Sequence, residues 1–205
     1  MEQDIELHAF GTYAPPTAEI LIIGTFPTHK RNREFEFFYP NKQNVLWKLL
    51  ETIYNHRFHY NTGEEALNER KEFASQQKIA FTDMLAKAIR STGKSSDNQL
   101  IPIEIMDILS ILKVHPSIQR IILTSRSGKN SALSLFKCHL ANNNIPFFES
   151  EQLNLIVGHF QYLNKDYEVK VLYSPSPRVE RQFGFNVLQE MYTKALVLDS
   201  KNDKI

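Results

Sequence analysis

Four short apolar runs along the chain predict four buried β-strands. They lie at residues 20–23, 79–81, 121–124 and 169–173. Each run is rich in β-branched side chains and ends in small or polar residues, as do the strands of a parallel sheet that is covered on both faces. We therefore expect a central, mostly parallel sheet of four strands.

Apolar residues between and after these runs recur at the spacing of amphipathic helices. The segments concerned are 45–54, 103–112, 131–140 and 186–198. Strands that alternate with helices indicate an α/β fold, in which the ligand lies beyond the C-terminal ends of the strands. Because no repeat or linker interrupts the pattern, we expect one domain over residues 1–205, with its core at about 18–192 and a polar tail at 199–205.

The composition is that of a globular protein. Of the 205 residues, 42% are hydrophobic and 23% are charged, which allows a core and gives no sign of disorder. The net charge of +1 argues against bulk electrostatic binding of nucleic acid, although it hides local basic clusters.

The single cysteine, Cys138, excludes a disulfide framework, a cysteine-ligated zinc site and an iron–sulfur cluster, and it favours a reducing compartment. The N-terminal segment lacks the pattern of a secretory leader, and no apolar run approaches membrane-spanning length. We therefore expect a cytoplasmic protein with no membrane partner. Since His, Cys and Asp do not cluster at ligand spacing, we also expect no metal and no cofactor.

The four strand ends open onto loops that begin at Gly24, Thr82, Thr124 and Ser174. In the first loop, Gly24 allows a sharp turn and a close approach to a ligand. The glycine patterns of P-loops and of dinucleotide-binding turns are absent from the sequence. A plain turn with a solvated basic edge is the alternative interpretation of this loop.

The second loop places Thr82 and Asp83 directly after a strand, where we expect their side chains to point into the cleft. A polar run, Ser95-Ser96-Asp97-Asn98-Gln99, follows. Two alternatives stay open, a helix N-cap for Asp83 and a simple turn residue for Asp97.

The third and fourth loops carry groups that suit phosphate binding. Ser125 and Lys129 belong to a stretch that fits an anion-binding helix start, although a plain capped helix fits equally well. In the fourth loop, Ser174 and Ser176 alternate with two prolines that keep the chain extended, and Arg178 stands at the tip.

These loops combine basic side chains with aromatic ones, which is typical of a site for a phosphodiester whose base stacks on a ring. The basic residues at or near the loops are Lys30, Arg31, Arg33, Lys42, Arg126, Lys129, Arg178 and Arg181. A mononucleotide needs one or two cations, whereas a DNA strand needs a row of them, so the row favours DNA.

The loop residues resemble motifs of the uracil-DNA glycosylase superfamily, closest to its hypoxanthine-DNA glycosylase and mismatch-specific uracil glycosylase branches. The first motif, Gly-Ser-Phe-Pro with an aromatic pair and Asn-x-Phe-Trp, is similar to Gly24-Thr25-Phe26-Pro27, Phe38-Tyr39 and Asn44-Val45-Leu46-Trp47. The later motifs resemble Phe81-Thr82-Asp83-Met84-Leu85, Ser95-Ser96-Asp97 and Ser174-Pro175-Ser176-Pro177. Their order and spacing agree over about residues 18–192.

The resemblance implies a three-layer α/β/α domain and a monofunctional DNA glycosylase that acts in base excision repair. Such an enzyme flips a deaminated base, hypoxanthine or uracil, out of DNA and hydrolyses its glycosidic bond. It implies DNA with such a base as the partner, and we expect a monomer. The implied base-binding residues are Phe26, Phe38, Tyr39, Asn44 and Thr82. The implied DNA-backbone and wedge residues are Thr25, Ser125, Lys129, Ser174, Ser176 and Arg178.

The chain also departs from the superfamily pattern. Most members of the superfamily carry, at the position of Phe26, an Asp or Asn that positions the water. The hypoxanthine branch has a Phe at this position, as this chain does. The resemblance then implies an Asn after the second strand, and the candidate is Asn98, with Asp97 or Gln99 as alternatives and Asp83 as a second catalytic group. The last motif of the family often begins with a His that stabilises the leaving base, and here that position is Ser174. His29 could take over the role of that His only if its loop folds inward.

Two alternatives to an active glycosylase remain. One is a nucleic-acid-binding protein of the same fold that has lost the chemistry. The other is a binder of small nucleotides or phosphosugars on a similar α/β sheet.

Overall fold

The computed structural model describes residues 4–90, 97–152 and 155–197. Strands β1–β9 are Ile5–Leu7, Ile20–Gly24, Ile79–Asp83, Leu85–Arg90, Leu100–Ile105, Arg120–Leu123, Phe148–Gln152, Leu155–Tyr162 and Lys165–Val171. Helices α1–α6 are Leu46–Tyr54, Gly63–Gln76, Ile108–Val114, Ala132–Asn142, Pro177–Phe183 and Phe185–Leu196. Two 3-10 helices cover Lys30–Asn32 and Asp97–Gln99. The described part of the chain is therefore a mixture of helices and strands, which confirms the α/β class.

The large sheet has the strand order β3-β2-β6-β9-β8-β7. The strands β3, β2, β6 and β9 are parallel to one another, and they contain the four predicted strands, with small shifts at their ends. The antiparallel strands β8 and β7 continue the sheet, so in the described residues it has six strands and not the predicted four. The sequence pattern did not predict the hairpin of β7 and β8, because β8 is half exposed and its residues form no continuous buried run.

A second, antiparallel sheet contains β1, β4 and β5 in the order β1-β4-β5. Its strand β5 corrects the sequence interpretation. Segment 103–112 is not one helix, because β5 ends at Ile105 and Asp107 then caps α3 by accepting a hydrogen bond from the Ser110 amide. Isoleucines at 101, 103 and 105 alternate at strand spacing, and this run merges with the helical pattern that follows.

Helices cover both faces of the large sheet. Leu21 and Leu123 belong to a core that includes side chains of α3, α4 and the small sheet. Ile22 and Phe81 point to the opposite face, where the core includes side chains of α1, α2 and α6. The layers therefore run helix, sheet, helix. The sequence pattern did not predict α2, because this mostly polar helix buries only four side chains, among them Arg70.

The end of the chain also differs in detail from the prediction. Segment 186–198 corresponds to α6, and the short helix α5 precedes it, separated only by Gly184. None of the helices in the described ranges is both long and apolar enough to cross a membrane.

Candidate functional site

A cleft of about 600 Å³ lies at the C-terminal ends of the four parallel strands. Each of the four strand-end segments contributes to its lining, through Thr25, Asp83, Ser125 and Ser174 among others. Parallel strands end at the same edge of a sheet, so four segments that are far apart in sequence meet there. The cleft is large enough for a nucleoside-sized group.

Aromatic side chains form much of the wall of the cleft. They are Phe10, Phe26, Phe38, Tyr39, Tyr173 and Phe183. Phe38 is only 1% exposed and stacks on Phe81 with ring centroids 5.6 Å apart, so it forms part of the floor. Tyr173, another lining residue, stacks on Phe183 with ring centroids 4.4 Å apart, and the Arg126 guanidinium lies 5.1 Å from the Tyr173 ring.

Asp83, the last residue of β3, is a buried carboxyl group in the cleft. Its Oδ2 lies 2.8 Å from Nε2 of His8, whose side chain is 3% exposed. The other ring nitrogen of His8, Nδ1, accepts hydrogen bonds from the amides of Phe10 at 3.1 Å and Gly11 at 2.8 Å. Gly24 is paired with Asp83 across the sheet, and a β-carbon at Gly24 would collide with Oδ1 of the carboxylate. Asp83 is therefore confined on two sides.

Asp97 provides a second carboxyl group to the cleft. Its pKa is raised to about 6, chiefly by burial; a hydrogen bond from Thr25 lowers the pKa, the charge of Asp83 raises it and the charge of Arg90 lowers it. Two carboxyl groups close enough to interact do not ionise independently. Asp97 therefore changes its charge in a pH range where enzymes commonly use a general base.

A buried amide holds the segment that carries Asp97. The side-chain nitrogen of Asn130 donates to the carbonyl of Asp97 at 3.0 Å and to that of Leu100 at 2.7 Å. Asn130 lies just before α4, whose N-cap is Ser131. The third loop thus supports the 3-10 helix that begins at Asp97.

Arg90 forms hydrogen bonds with both the first loop and the N-terminal strand β1. Its guanidinium donates to the carboxylate of Glu6 and, at 2.9 Å, to the carbonyl of Pro27. It also lies 5.7 Å from the ring of Phe26. The Gly-Thr-Phe-Pro loop therefore rests on a buried cation rather than lying free in solvent.

Tyr39 occupies a constrained position in the lining of the cleft. Its φ angle of 52° is in the left-handed region, which a non-glycine residue adopts only when its surroundings require it. Its hydroxyl group lies 2.9 Å from Oγ1 of Thr124. Burial, and secondarily the charge of Asp83, raise the pKa of Tyr39 far above its ordinary value, so the hydroxyl stays neutral.

The fourth segment forms the mouth of the cleft. Ser176 is the N-cap of α5 and accepts a hydrogen bond from the Val179 amide at 3.4 Å, while Pro177 is the first residue of the helix. Ser174 is half-buried, and the exposed Arg178 lines the mouth. The backbone of this segment is fixed by the Val45 amide, which donates to the carbonyl of Pro175 at 3.0 Å.

All but two of the residues predicted for the site line the cleft. The predicted residues in the lining are Thr25, Phe26, Phe38, Tyr39, Asn44, Asp83, Asp97, Asn98, Ser125, Ser174, Ser176 and Arg178. Within this group the degree of exposure differs, since Asp97 is half-buried whereas Asn98 is exposed beside Gly128. The Oγ of Ser125 accepts a hydrogen bond from the Ala132 amide at 2.7 Å, so it also fixes the start of α4.

Thr82 and Lys129 do not line the cleft. Strand β3 continues through Asp83, so consecutive side chains alternate between the faces of the sheet and Thr82 points away from the side of Asp83. Its hydroxyl group contacts that of Thr12 at 3.1 Å. Lys129 is exposed and lies outside the lining. His29 is half-buried and also lies outside the lining, where it caps the 3-10 helix that begins at Lys30. Residues 95 and 96, part of a predicted motif, lie outside the described residues.

The sequence interpretation missed His8, Phe10 and Asn130. His8 lies in a segment without a periodic pattern, and 75 positions separate it from Asp83, so no local signal points to their contact. Asn130 was part of the third loop, but its role depends on the carbonyl groups it reaches. Of the predicted basic row, Arg126 and Arg178 belong to the described lining. Arg33 instead donates to the Thr28 carbonyl and to Glu36.

Comparisons of the chain with family models, with curated proteins and with solved structures give no match. Within the described ranges, no group of three or more His, Cys, Asp or Glu side chains is arranged to hold a metal ion.

Proposed function

We propose that the protein is a DNA glycosylase that hydrolyses the N-glycosidic bond of a deaminated base, hypoxanthine or uracil. The observation that carries the proposal is the presence of two carboxyl groups, the buried Asp83 and the half-buried Asp97, in one cleft walled by aromatic rings. Glycoside cleavage passes through an oxocarbenium-like state, which nearby carboxylates stabilise, and it needs a base to activate water.

Asp97 is the proposed general base. Its pKa of about 6 leaves it ionised at neutral pH, yet more basic than an ordinary aspartate, so it accepts a proton from water more readily. Asn98, the first choice from the sequence, is exposed at the edge of the cleft, where a side chain is better placed to contact substrate than to hold a shielded water. The Asp83 carboxylate is the proposed stabiliser of positive charge on the sugar.

The aromatic wall is the proposed binding surface for the base. A base within a duplex is inaccessible, so it has to be extruded into the cleft, where Phe26 and Tyr39 contact its faces and Asn44 its polar edge. Arg178, with Ser174 and Ser176, lies at the mouth and contacts the adjacent phosphates or fills the gap in the stack. No metal or cofactor is part of this proposal.

The proposed layout is that of the uracil-DNA glycosylase superfamily, with the four parallel strands β3, β2, β6 and β9 as its centre. Helices on both faces of the sheet support this proposal. The hairpin of β8 with β7 then adds to one edge of that layout. We further propose a single domain that acts as a monomer in the cytoplasm.

The test is single-turnover cleavage of labelled oligonucleotides that contain uracil, hypoxanthine or xanthine, in single and double strands. Abasic sites are revealed with hot alkali. Wild-type protein is expected to release one of these bases, and Asp97→Asn to lower the rate roughly 100-fold or more while DNA affinity is kept. The matched control is Asp166→Asn, an exposed aspartate at the start of β9, which is expected to have no effect. Absence of release across the whole panel would refute the proposal.

A second candidate function is the binding of a small nucleotide. The small number of cations in the cleft favours this candidate. Among the described lining residues, Arg126 and Arg178 are the only Lys or Arg side chains. Arg126 also forms an ion pair with Glu151 at 2.9 Å. A mononucleotide requires no more cations than these. Calorimetric titration with nucleoside monophosphates and with oligonucleotides separates the two, since only DNA binding loses affinity steeply with salt.

A further inference from the structure

We propose that His8 is a positioning residue, which holds the Asp83 carboxylate in place by a single hydrogen bond from a neutral imidazole ring. The inference deepens the proposed function and rests on it. It is carried by the contact between Nε2 of His8 and Oδ2 of Asp83, 2.8 Å long and buried on both sides. No part of the sequence resemblance assigns a role to His8.

The backbone determines which nitrogen of His8 carries the proton. Nδ1 accepts hydrogen bonds from two amides, those of Phe10 and Gly11, and a nitrogen can accept only when it carries no proton. The single proton of the neutral ring is therefore on Nε2, which donates to Asp83. A proton on Nδ1 would point at two N–H donors, so these two hydrogen bonds require an Nδ1 that carries no proton.

A neutral donor has a different effect from a cation. An arginine or lysine beside Asp83 would orient the carboxylate but would also offset its charge. His8 fixes the orientation and leaves the full negative charge available to a cationic sugar. The rings of Phe10, Phe26 and Phe38 surround His8 at centroid distances of 5.9 Å, which keeps water away from the hydrogen bond.

The carboxylate has little freedom to adopt another position. Gly24 leaves no space for a β-carbon on the side of Oδ1, and His8 holds Oδ2. His8 itself follows β1, which pairs with β4, and its own amide donates to the carbonyl of Ala86 at 2.8 Å. The N-terminal strand thus serves to carry an orienting group to the end of β3.

The first experiment measures single-turnover release of the base by His8→Ala and His8→Gln. Glutamine places an N–H donor near the position of Nε2 without an imidazole ring, so it is expected to keep most of the rate. His8→Ala is expected to lose about 100-fold in rate with unchanged DNA affinity, because the carboxylate is then misplaced. The matched control is His59→Gln, at an exposed position, with no expected effect.

A double-mutant cycle tests whether His8 acts through Asp83. In an Asp83→Asn background, His8→Ala is expected to cause little further loss. Equal losses in both backgrounds would overturn the proposal, as would loss in His8→Gln equal to that in His8→Ala. Thermal unfolding of each variant shows whether a loss is due to detachment of β1.

Nitrogen-15 NMR of labelled histidine provides a readout that does not need activity. The expected spectrum of His8 has a protonated Nε2 and an unprotonated Nδ1, and Asp83→Asn shifts the Nε2 signal. A proton on Nδ1, or a spectrum unaffected by Asp83→Asn, would overturn the proposal. If the wild-type protein releases no base, the proposed function is refuted. If the wild-type protein releases base and His8→Ala does so at the same rate, only the role proposed for His8 is refuted.

Discussion

Gly24 and Asp83 are paired across neighbouring parallel strands, and the space that a β-carbon of residue 24 would need is filled by the Asp83 carboxylate. Gly24 is the last residue of β2, and its φ angle is not in the left-handed region, so it does not make the sharp turn expected from the sequence. Its lack of a side chain instead makes room for a charged group. The two residues of the predicted motifs therefore depend on each other in a way that their spacing in sequence does not reveal.

Gly24→Ala is expected to displace the Asp83 carboxylate and to break its hydrogen bond with His8. We expect a loss of about 1–3 kcal/mol in the free energy of unfolding, as for other overpacked sites. Urea denaturation of the single variants and of Gly24→Ala combined with Asp83→Ala measures the effect. Since the shorter side chain removes the collision, Gly24→Ala is expected to cost clearly less in that background, and an equal cost would contradict the assignment.

The pKa of Asp97 predicts a dependence of stability on pH. Its pKa is raised to about 6, chiefly by burial, so the folded protein binds the proton more tightly than the unfolded chain does. The resulting contribution to stability is present in full below pH 4 and is lost as the pH rises to about 6. The loss is on the order of 3 kcal/mol at most. Comparison of the unfolding free energies of wild-type protein and Asp97→Asn isolates it, because the variant lacks this titration.

The coupling of the two carboxyl groups predicts a shift in the pH profile of base release. If Asp97 is the base, the rate rises with pH around a midpoint near 6 and then levels off. Asp83→Asn removes a negative charge that raises the pKa of Asp97, so the midpoint is expected to move to lower pH while the maximal rate falls. Asp166→Asn serves as control, and an unmoved midpoint in Asp83→Asn would argue against the coupling.

Asn130→Ala removes two hydrogen bonds to the segment of Asp97, one buried and one part-buried. We expect a loss of about 1–3 kcal/mol in stability, because the carbonyl groups of Asp97 and Leu100 lose a donor. We also expect a lower rate of base release, because Asp97 is no longer held. Asn143→Ala is the matched control, since its amide donates to the carbonyl of His139, away from the cleft. A loss of rate as large in the control would show that the effect is a general one.

Arg178→Ala is expected to weaken DNA binding and to reduce the slope of log affinity against log salt by about one, the value for one phosphate contact. Fluorescence anisotropy over a range of salt concentrations measures both quantities. Lys113→Ala changes an exposed charge near the end of α3 and is expected to leave the slope unchanged. A small nucleotide as the natural ligand would be indicated by tight nucleotide binding and weak DNA binding in the wild-type protein.

The parallel strands could be predicted because each is a continuous run of buried side chains. The strands β7 and β8 could not, because the described side chains of β7 are exposed, those of β8 form no continuous buried run, and the pairing of β8 depends on β9. Helix α4 was predicted because its apolar residues are periodic, whereas the isoleucines of β5 also fitted a helix. Local sequence patterns therefore predicted the four parallel strands at the centre of the sheet, but not the antiparallel strands β7 and β8 at its edge.

The sequence predicted those site residues that directly follow a strand or lie in the loops after the strands. Asp83 and Asp97 were found because they follow strands or loops of the expected kind, and Thr82 was misjudged because β3 is longer than its apolar run. His8 and Asn130 act through contacts with residues distant in sequence. Such contacts exist only in the folded protein, and a single sequence carries no local trace of them.

The lining of the cleft extends along the chain from Phe10 to Phe183. During synthesis the N-terminal strands leave the ribosome long before α5 does, and contacts between distant segments are slow to form. A nascent chain would therefore have neither a complete wall of rings nor the residues at the mouth. We expect that the cleft is completed late in refolding, after the sheet and both cores have formed, so that an incomplete chain has no complete binding site.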